Sequence, residues 1–204
     1  LRSQIDQVHA VIEAMGLPLL SIPDVEADDV IGTLAKAAPS AGMDAFIVSG
    51  DKDLAQLVGP GVVMCDSMKN VVYDEKGVEE KFGVPPDRII DFLALVGDTS
   101  DNIPGVPKVG PKTASRWLME YGSLDTLVAN ADSIKGKVGE NLRGSLDQLA
   151  LSRQLATIKC DVPLEKELEA LVISPADEDT LRQLYAELEF KTWLSELGGL
   201  NESG

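Results

Sequence analysis

DAFIVSGDKDLAQLV, residues 44–58, decides how this chain is read. Ala45 to Val48 form a short apolar run with β-branched Ile47 and Val48, closed by Gly50, as a buried strand would be. Asp51 and Asp53 come directly after its carboxyl end, and a short helix is expected from about Asp53 to Val58. A further strand is expected at VVMC, residues 62–65. Upstream, PLLSI (residues 18–22) reads as another buried strand, and Val30, Ile31, Leu34 and Ala38 recur at helical spacing as one apolar face. Strands alternating with helices predict an α/β fold whose parallel sheet carries helices on both faces.

In such sheets ligands bind beyond the carboxyl ends of the strands. PLLSI runs into Glu26, Asp28 and Asp29 of DVEADDVIG, and DAFIVSG runs into Asp51 and Asp53. A third pair, Asp98 and Asp101, follows the helical run DRIIDFLALVG, residues 87–97. Each acid alone has a simpler reading as an N-cap or first-turn residue, favoured by the positive end of a helix. Repeated at one sheet edge, however, carboxylates repel one another unless hard cations neutralise them. The seven acids therefore point to a divalent-metal site.

The second signal is SDNIPGVPKVGPKTASRWLMEYG, residues 100–122. A turn punctuated by Gly and Pro joins one helix to another whose apolar face is Ala114, Trp117, Leu118 and Tyr121, a helix-hairpin-helix pattern. Gly105 and Gly110 let main-chain N–H groups approach a phosphate oxygen. Lys108 and Lys112 add positive charge at the start of the next helix, beside Thr113. Contacts of this kind carry no base information, so binding should be independent of sequence. Trp117 and Trp193, both at helical apolar spacing, are expected in the core.

Composition limits the alternatives. The 204 residues are enough for one sizeable core, or a domain with a helical extension. Cys65 and Cys160, the two cysteines, cannot build a disulfide framework or a Cys-rich zinc site. No apolar stretch is long enough to span a membrane, and the N-terminus has the charges of a helix rather than a secretory signal, which places the chain in the cytoplasm. A net charge of −16 argues by itself against a polyanionic partner. Seven of those charges lie in the acidic clusters, so local charge must decide.

At the ends of the chain the pattern is helical. Ile5, Val8, Ile12 and Met15 form the stripe of a first helix closed by Gly16, with His9 beside it as a surface or packing residue. Later, Ser123 caps LDTLVAN, and Leu142, Leu146 and Leu149 continue an apolar face. A last helix is expected from about Ala176 to Leu197, carrying Leu181, Leu184, Tyr185 and Leu188.

VEADDVIG, SGDKDLAQLV, DFLALVGDTSDNIPGVPKVGPKTA and LATIKCDVPLE together resemble the 5′ nuclease domain of bacterial DNA polymerase I, within the flap endonuclease superfamily. The resemblance implies a Rossmann-like (PIN/flap-nuclease-like) core with a helix-hairpin-helix helical subdomain. It further implies cleavage of 5′ flaps, nicked ends and RNA primers with two ions of magnesium or manganese. Glu26 and Asp28 then match ligands of a first ion, with Asp29 beside them, while Asp51, Asp53, Asp98 and Asp101 match the group around a second. Gly105, Lys108, Gly110, Lys112 and Thr113 match the DNA-binding hairpin, where potassium on main-chain carbonyls is a further expectation.

The family pattern begins with two acidic strand ends and a basic, Tyr-containing gateway, and none of these lies upstream of Leu1. The resemblance thus implies an N-terminally truncated α/β metal-binding core over residues 1–97 and a helix-hairpin-helix and helical region over 98–197. A linker over 198–204 would lead to a covalently attached polymerase domain. Weak first-site occupancy and little cleavage, with DNA affinity retained, are the matching expectations. Two other readings stand beside this one: a non-catalytic DNA-binding module that uses only the hairpin, and an acidic ribonuclease of the small toxin type.

Overall fold

The apolar run at 45–48 pairs as expected. In the computed structural model, which describes residues 4–199, β1 (Ala45–Val48) lies parallel to β2 (Val62–Asp66), with Ala45 opposite Val62 and Val48 opposite Cys65. A third strand, β3 (Val71–Tyr73), is antiparallel to β2, giving the order β1-β2-β3 and a mixed sheet rather than an all-parallel one. The link from β2 to β3 is residues 67–70, with Asn70 at φ 53°. So short a connection can only reverse the chain, because a parallel crossover needs a dozen residues or more. The expected helix after Asp53 is a 3-10 turn over Lys52–Leu57.

The described residues form two compact units: residues 25–163, and residues 4–24 with 164–199. In the first, α2 (Ala27–Ser40) starts at Glu26 and buries Val30, Gly32, Ala35 and Ala38. Next come α3 (Glu75–Phe82), capped by Asp74, and α4 (Ile89–Val96), whose Ile89, Phe92, Leu93, Ala94 and Leu95 are all buried. Then α5 (Pro111–Tyr121), α6 (Leu124–Ala129), α7 (Gly136–Gly144) and α8 (Leu146–Ala156) follow. Trp117, Leu118, Leu127, Leu142 and Leu149 join α4 in the core that the sheet also shares. Burying a Leu contributes about 1.5–3 kcal/mol, whereas a cap such as Ser123, which accepts from the Thr126 N–H, contributes about 1 kcal/mol. Packing on α4, more than local propensity, therefore holds the short helices.

In the second unit, α1 (Ile5–Ala14), α9 (Glu178–Glu187) and α10 (Lys191–Gly199) enclose a small core of Val11, Ala14, Leu181 and Tyr185. Four expectations are corrected here. Ile5, Val8 and Met15 are exposed, and Val11 and Ala14 are the buried face of α1. The apolar stripe of this helix is wide, and periodicity cannot say which of its edges is covered. PLLSI forms no strand: the Gly16 carbonyl before it accepts from the Ser174 N–H at 2.8 Å, and an apolar run without a ladder of its own stays irregular. The single last helix is two, because Glu189 at φ 58° ends α9 and the Phe190 N–H returns to the Tyr185 carbonyl at 2.8 Å. This C-terminal turn lacks the glycine that normally marks it, so the sequence carries no signal for it. Trp193 is half exposed, against Tyr185 and Phe190 at ring separations of 5.4 and 5.0 Å. Residues 200–204 of the expected linker lie outside the described residues.

Candidate metal centre and nucleic-acid interface

Three of the seven acids converge. Asp53, Asp98 and Asp101 each offer a carboxylate oxygen, and the three oxygens lie within 4.8 Å of one another. Local chain geometry explains how. Asp51 caps the 3-10 turn after β1, its Oδ1 accepting from the Asp53 N–H at 3.0 Å, and this turns Asp53 inward. Asp98 follows α4 in a tight loop closed by reciprocal main-chain bonds with Ile103 at 2.8 and 2.9 Å, and its Oδ1 accepts from the Ser100 N–H at 2.7 Å. Asp101 sits at the exposed tip of that loop.

The electrostatics of the cluster are unbalanced. Asp53 Oδ1 is buried and has no hydrogen-bond partner among the described residues. Burial, then the Asp51 charge, partly offset by Lys52, pushes the Asp53 carboxyl up to about 6. Burial and the charges of Asp51, Glu26, Asp101 and Asp29 likewise hold Asp28 above the ordinary carboxylate range, so the first acidic group lies in the field of the other two. Asp98 is the exception, held low chiefly by its hydrogen bond from Lys52 Nζ. An orphaned, buried oxygen in an all-carboxylate donor set is what a hard divalent cation satisfies, so the residues present fit such an ion.

The remaining acids of the three clusters are placed differently. Asp29 Oδ1 accepts from the Lys159 N–H at 2.8 Å, and Val162 N–H bonds to Thr33, so this acid fastens the 158–162 segment to α2. Glu26 stands at the start of α2 without a side-chain cap bond, and Asp51 is exposed. Asp28 faces the cluster electrostatically but is outside the convergent triad.

The hairpin follows four residues after Asp101. Its two glycines differ. A Cβ on Gly105 would lie 2.3 Å from the Val96 carbonyl oxygen and 2.5 Å from Gly97 N, so glycine is needed there for backbone packing against the end of α4. Nothing lies within 4 Å of the corresponding position on Gly110, which opens α5. Carbonyls of the turn are claimed from behind: Ser152 donates to Pro104, Gln148 to Gly105 at 3.4 Å and Asn141 to Pro107 at 2.6 Å. Main-chain N–H groups of Lys108, Gly110 and Lys112 have no partner among the described residues, and both lysines are exposed. Lys108 holds φ 66°, a left-handed conformation that helps turn the chain there. A row of free donors and ammonium groups at a helix start suits an anionic oxygen.

Known proteins resemble this chain over most of its length. The description "5′-3′ exonuclease, N-terminal resolvase-like domain" matches residues 1–83, and "5′-3′ exonuclease, C-terminal SAM fold" matches residues 84–179. The chain belongs to the 5′-3′ exonuclease family. DNA polymerase I of Pseudomonas aeruginosa is 48% identical over 205 residues, which covers 97% of this chain. The chain spans 22% of that protein's length. A solved structure of T5 5′-exonuclease with bound divalent metal ions (zinc) has a TM-score of 0.63 at 25% identity, covering 68% of this chain and 52% of that one. Bacteriophage T5 flap endonuclease, solved in a pseudo-enzyme-product complex with DNA and metal ions, shares the fold at a TM-score of 0.62 and 20% identity, over 90% of this chain and 62% of that one.

Within this family framework, sequence reasoning missed the residues that support the site rather than compose it. Lys52 sits between two expected ligands, yet its side chain reaches 46 residues along the chain to Asp98. Gln56 donates to the Asp53 and Ala156 carbonyls at 3.0 and 2.9 Å and accepts from the Ile158 N–H at 3.0 Å, bracing the 3-10 turn against the end of α8. Buried Asp91 accepts from the Leu124 N–H at 2.9 Å and pairs with Arg153 at 3.1 Å, tying α4 to α6 and α8. Only Lys52 carried a local clue, a lone cation inside an acidic motif.

Proposed function

We propose that this chain is a structure-specific 5′ nuclease that hydrolyses phosphodiester bonds in DNA or RNA primers at 5′ ends, nicks and flaps. The observation that carries the proposal is the Asp53–Asp98–Asp101 convergence, in a residue set where Asp53 Oδ1 is buried and unpartnered. Asp53, Asp98 and Asp101 would hold one divalent ion, with Asp51 beside them; Asp28 and Glu26 would serve a second, and Asp29 would fix the segment behind them. When bound, magnesium or manganese lowers the pKa of water and stabilises the attacking and leaving oxygens of an in-line displacement. Lys108, Gly110, Lys112 and Thr113 would hold the DNA backbone through free N–H groups and charge, and Gly105 would set the turn. Potassium at the hairpin would share carbonyls that already accept from Ser152, Gln148 and Asn141.

The same reading makes the chain the nuclease part of a larger cytoplasmic polypeptide that also carries a polymerase region. No helix among the described residues is long and apolar enough to cross a membrane. The test is cleavage of a 5′-flap duplex in magnesium by the wild-type chain and by Asp98→Asn, alongside DNA binding. Flap cleavage lost in the variant with binding retained supports the proposal. Binding without any cleavage by the wild-type chain, together with no saturable magnesium or manganese binding that Asp98→Asn weakens, would leave the DNA-binding module as the correct reading.

A further inference from the structure

We infer that Lys52 is a built-in competitor for the divalent ion at Asp98, and that its ammonium sets the affinity of the metal centre. This rests on the metal reading proposed above. Both oxygens of Asp98 are engaged: Oδ1 by the Ser100 N–H, Oδ2 by Lys52 Nζ. An ion held by Asp53, Asp98 and Asp101 needs an oxygen of Asp98, and the ammonium on Oδ2 both occupies part of that carboxylate and repels the incoming cation. The Ser100 bond closes the loop that positions Asp101, so losing it would dismantle the site. The Lys52 bond holds no secondary structure, because this side chain leaves the 3-10 turn and is itself 41% exposed. Lys52 is therefore the partner that can yield.

Charge balance points the same way. Among the described residues, Lys52 is the cation that offsets the field at Asp53 and Asp98, and it faces Asp51, Asp53 and Asp98 together. A tethered ammonium in the field of several carboxylates does part of a divalent ion's electrostatic work and must be displaced or pushed aside when the ion binds. The displaced ammonium is left beside the centre, where an incoming phosphate offers it a new anionic partner. Ion binding is then weaker in the free protein than the acids alone would give, and nucleic acid favours it.

The experiment is Mn2+ titration of the full chain without DNA, by calorimetry at neutral pH and low salt. Wild type is compared with Lys52→Met, Lys52→Gln, Lys52→Arg and, as reference, Asp98→Asn. Lys52→Met and Lys52→Gln should each bind Mn2+ roughly two- to fivefold tighter than wild type, the scale expected for removing a partly screened charge pair. Lys52→Arg should stay near wild type, and Asp98→Asn should bind more weakly. Unchanged or weaker binding in both neutral variants, with wild-type thermal melts, would overturn the inference and make Lys52 a positioning residue that helps assemble the site. Absence of saturable binding in every protein, wild type included, would instead overturn the metal reading and this inference with it.

Discussion

The acidic cluster and the hairpin lie four residues apart in sequence, and they treat their polar groups in opposite ways. At the cluster the fold buries an acceptor, Asp53 Oδ1, and gives it nothing to bind. At the hairpin it satisfies acceptors, by aiming Ser152, Gln148 and Asn141 at the carbonyls of Pro104, Gly105 and Pro107, and leaves the N–H donors of Lys108, Gly110 and Lys112 without a partner among the described residues. By its chemistry one region suits a cation and the other an anion, as proposed above. A net charge of −16 does not by itself exclude a polyanionic partner, because charge acts locally, within a screening length of about 8–10 Å.

The contrast breaks most visibly by function. Asp98→Asn should lower flap cleavage by about a hundredfold or more while leaving DNA affinity within a few-fold, since it removes a ligand and no phosphate contact. Equal loss of cleavage and binding would mean the two regions are not separable. Next in size is the pair of glycines. Gly105→Ala, with a Cβ 2.3 Å from the Val96 oxygen, should destabilise the fold by roughly 1–3 kcal/mol in a urea melt. Gly110→Ala should leave the melt nearly unchanged.

Smaller effects sharpen the comparison. Lys108→Ala and Lys112→Ala should each weaken binding to any duplex sequence by a few-fold and reduce the salt slope of the binding constant by about one, with metal affinity unaffected. Smallest is a pH signature in the ion-free protein. Asp53 keeps its proton to about pH 6 when folded, against 3.8 for an ordinary Asp, so the folded state binds more protons between those values. Stability should therefore fall as pH rises from about 4 to about 6, and Asp53→Asn should remove that part of the slope. A difference of opposite sign in paired melts would show that Asp53 is stabilised, not strained, by its surroundings.

Legibility of the sequence varied with the range of the interaction. β1, β2, α2, α4 and α5 were readable because burial on one side imposes a short-period pattern on neighbouring residues. The acids and the hairpin were readable as motifs for the same reason. β3 went unseen as a strand: its short, mostly exposed VVY has no buried face to produce a pattern. PLLSI was misread in the reverse sense, since an apolar run resembles a strand whether or not a partner exists. The break at Glu189 was hidden because a non-glycine residue occupies the left-handed position.

Chain chemistry alone determined which groups this protein has to offer: clustered carboxylates after a strand and after a helix, a glycine-proline turn with two lysines, and enough apolar residues to bury them on a scaffold. Only the folded arrangement decided which acids meet, that Asp29 is spent on Lys159, that Gly105 serves packing while Gly110 stays open, and that Lys52 reaches Asp98. The reason is one of distance. Periodicity and capping act over a few residues and are written locally, whereas carboxylate convergence and carbonyl capture join positions about 40 to 130 apart, where only the packed chain sets the geometry.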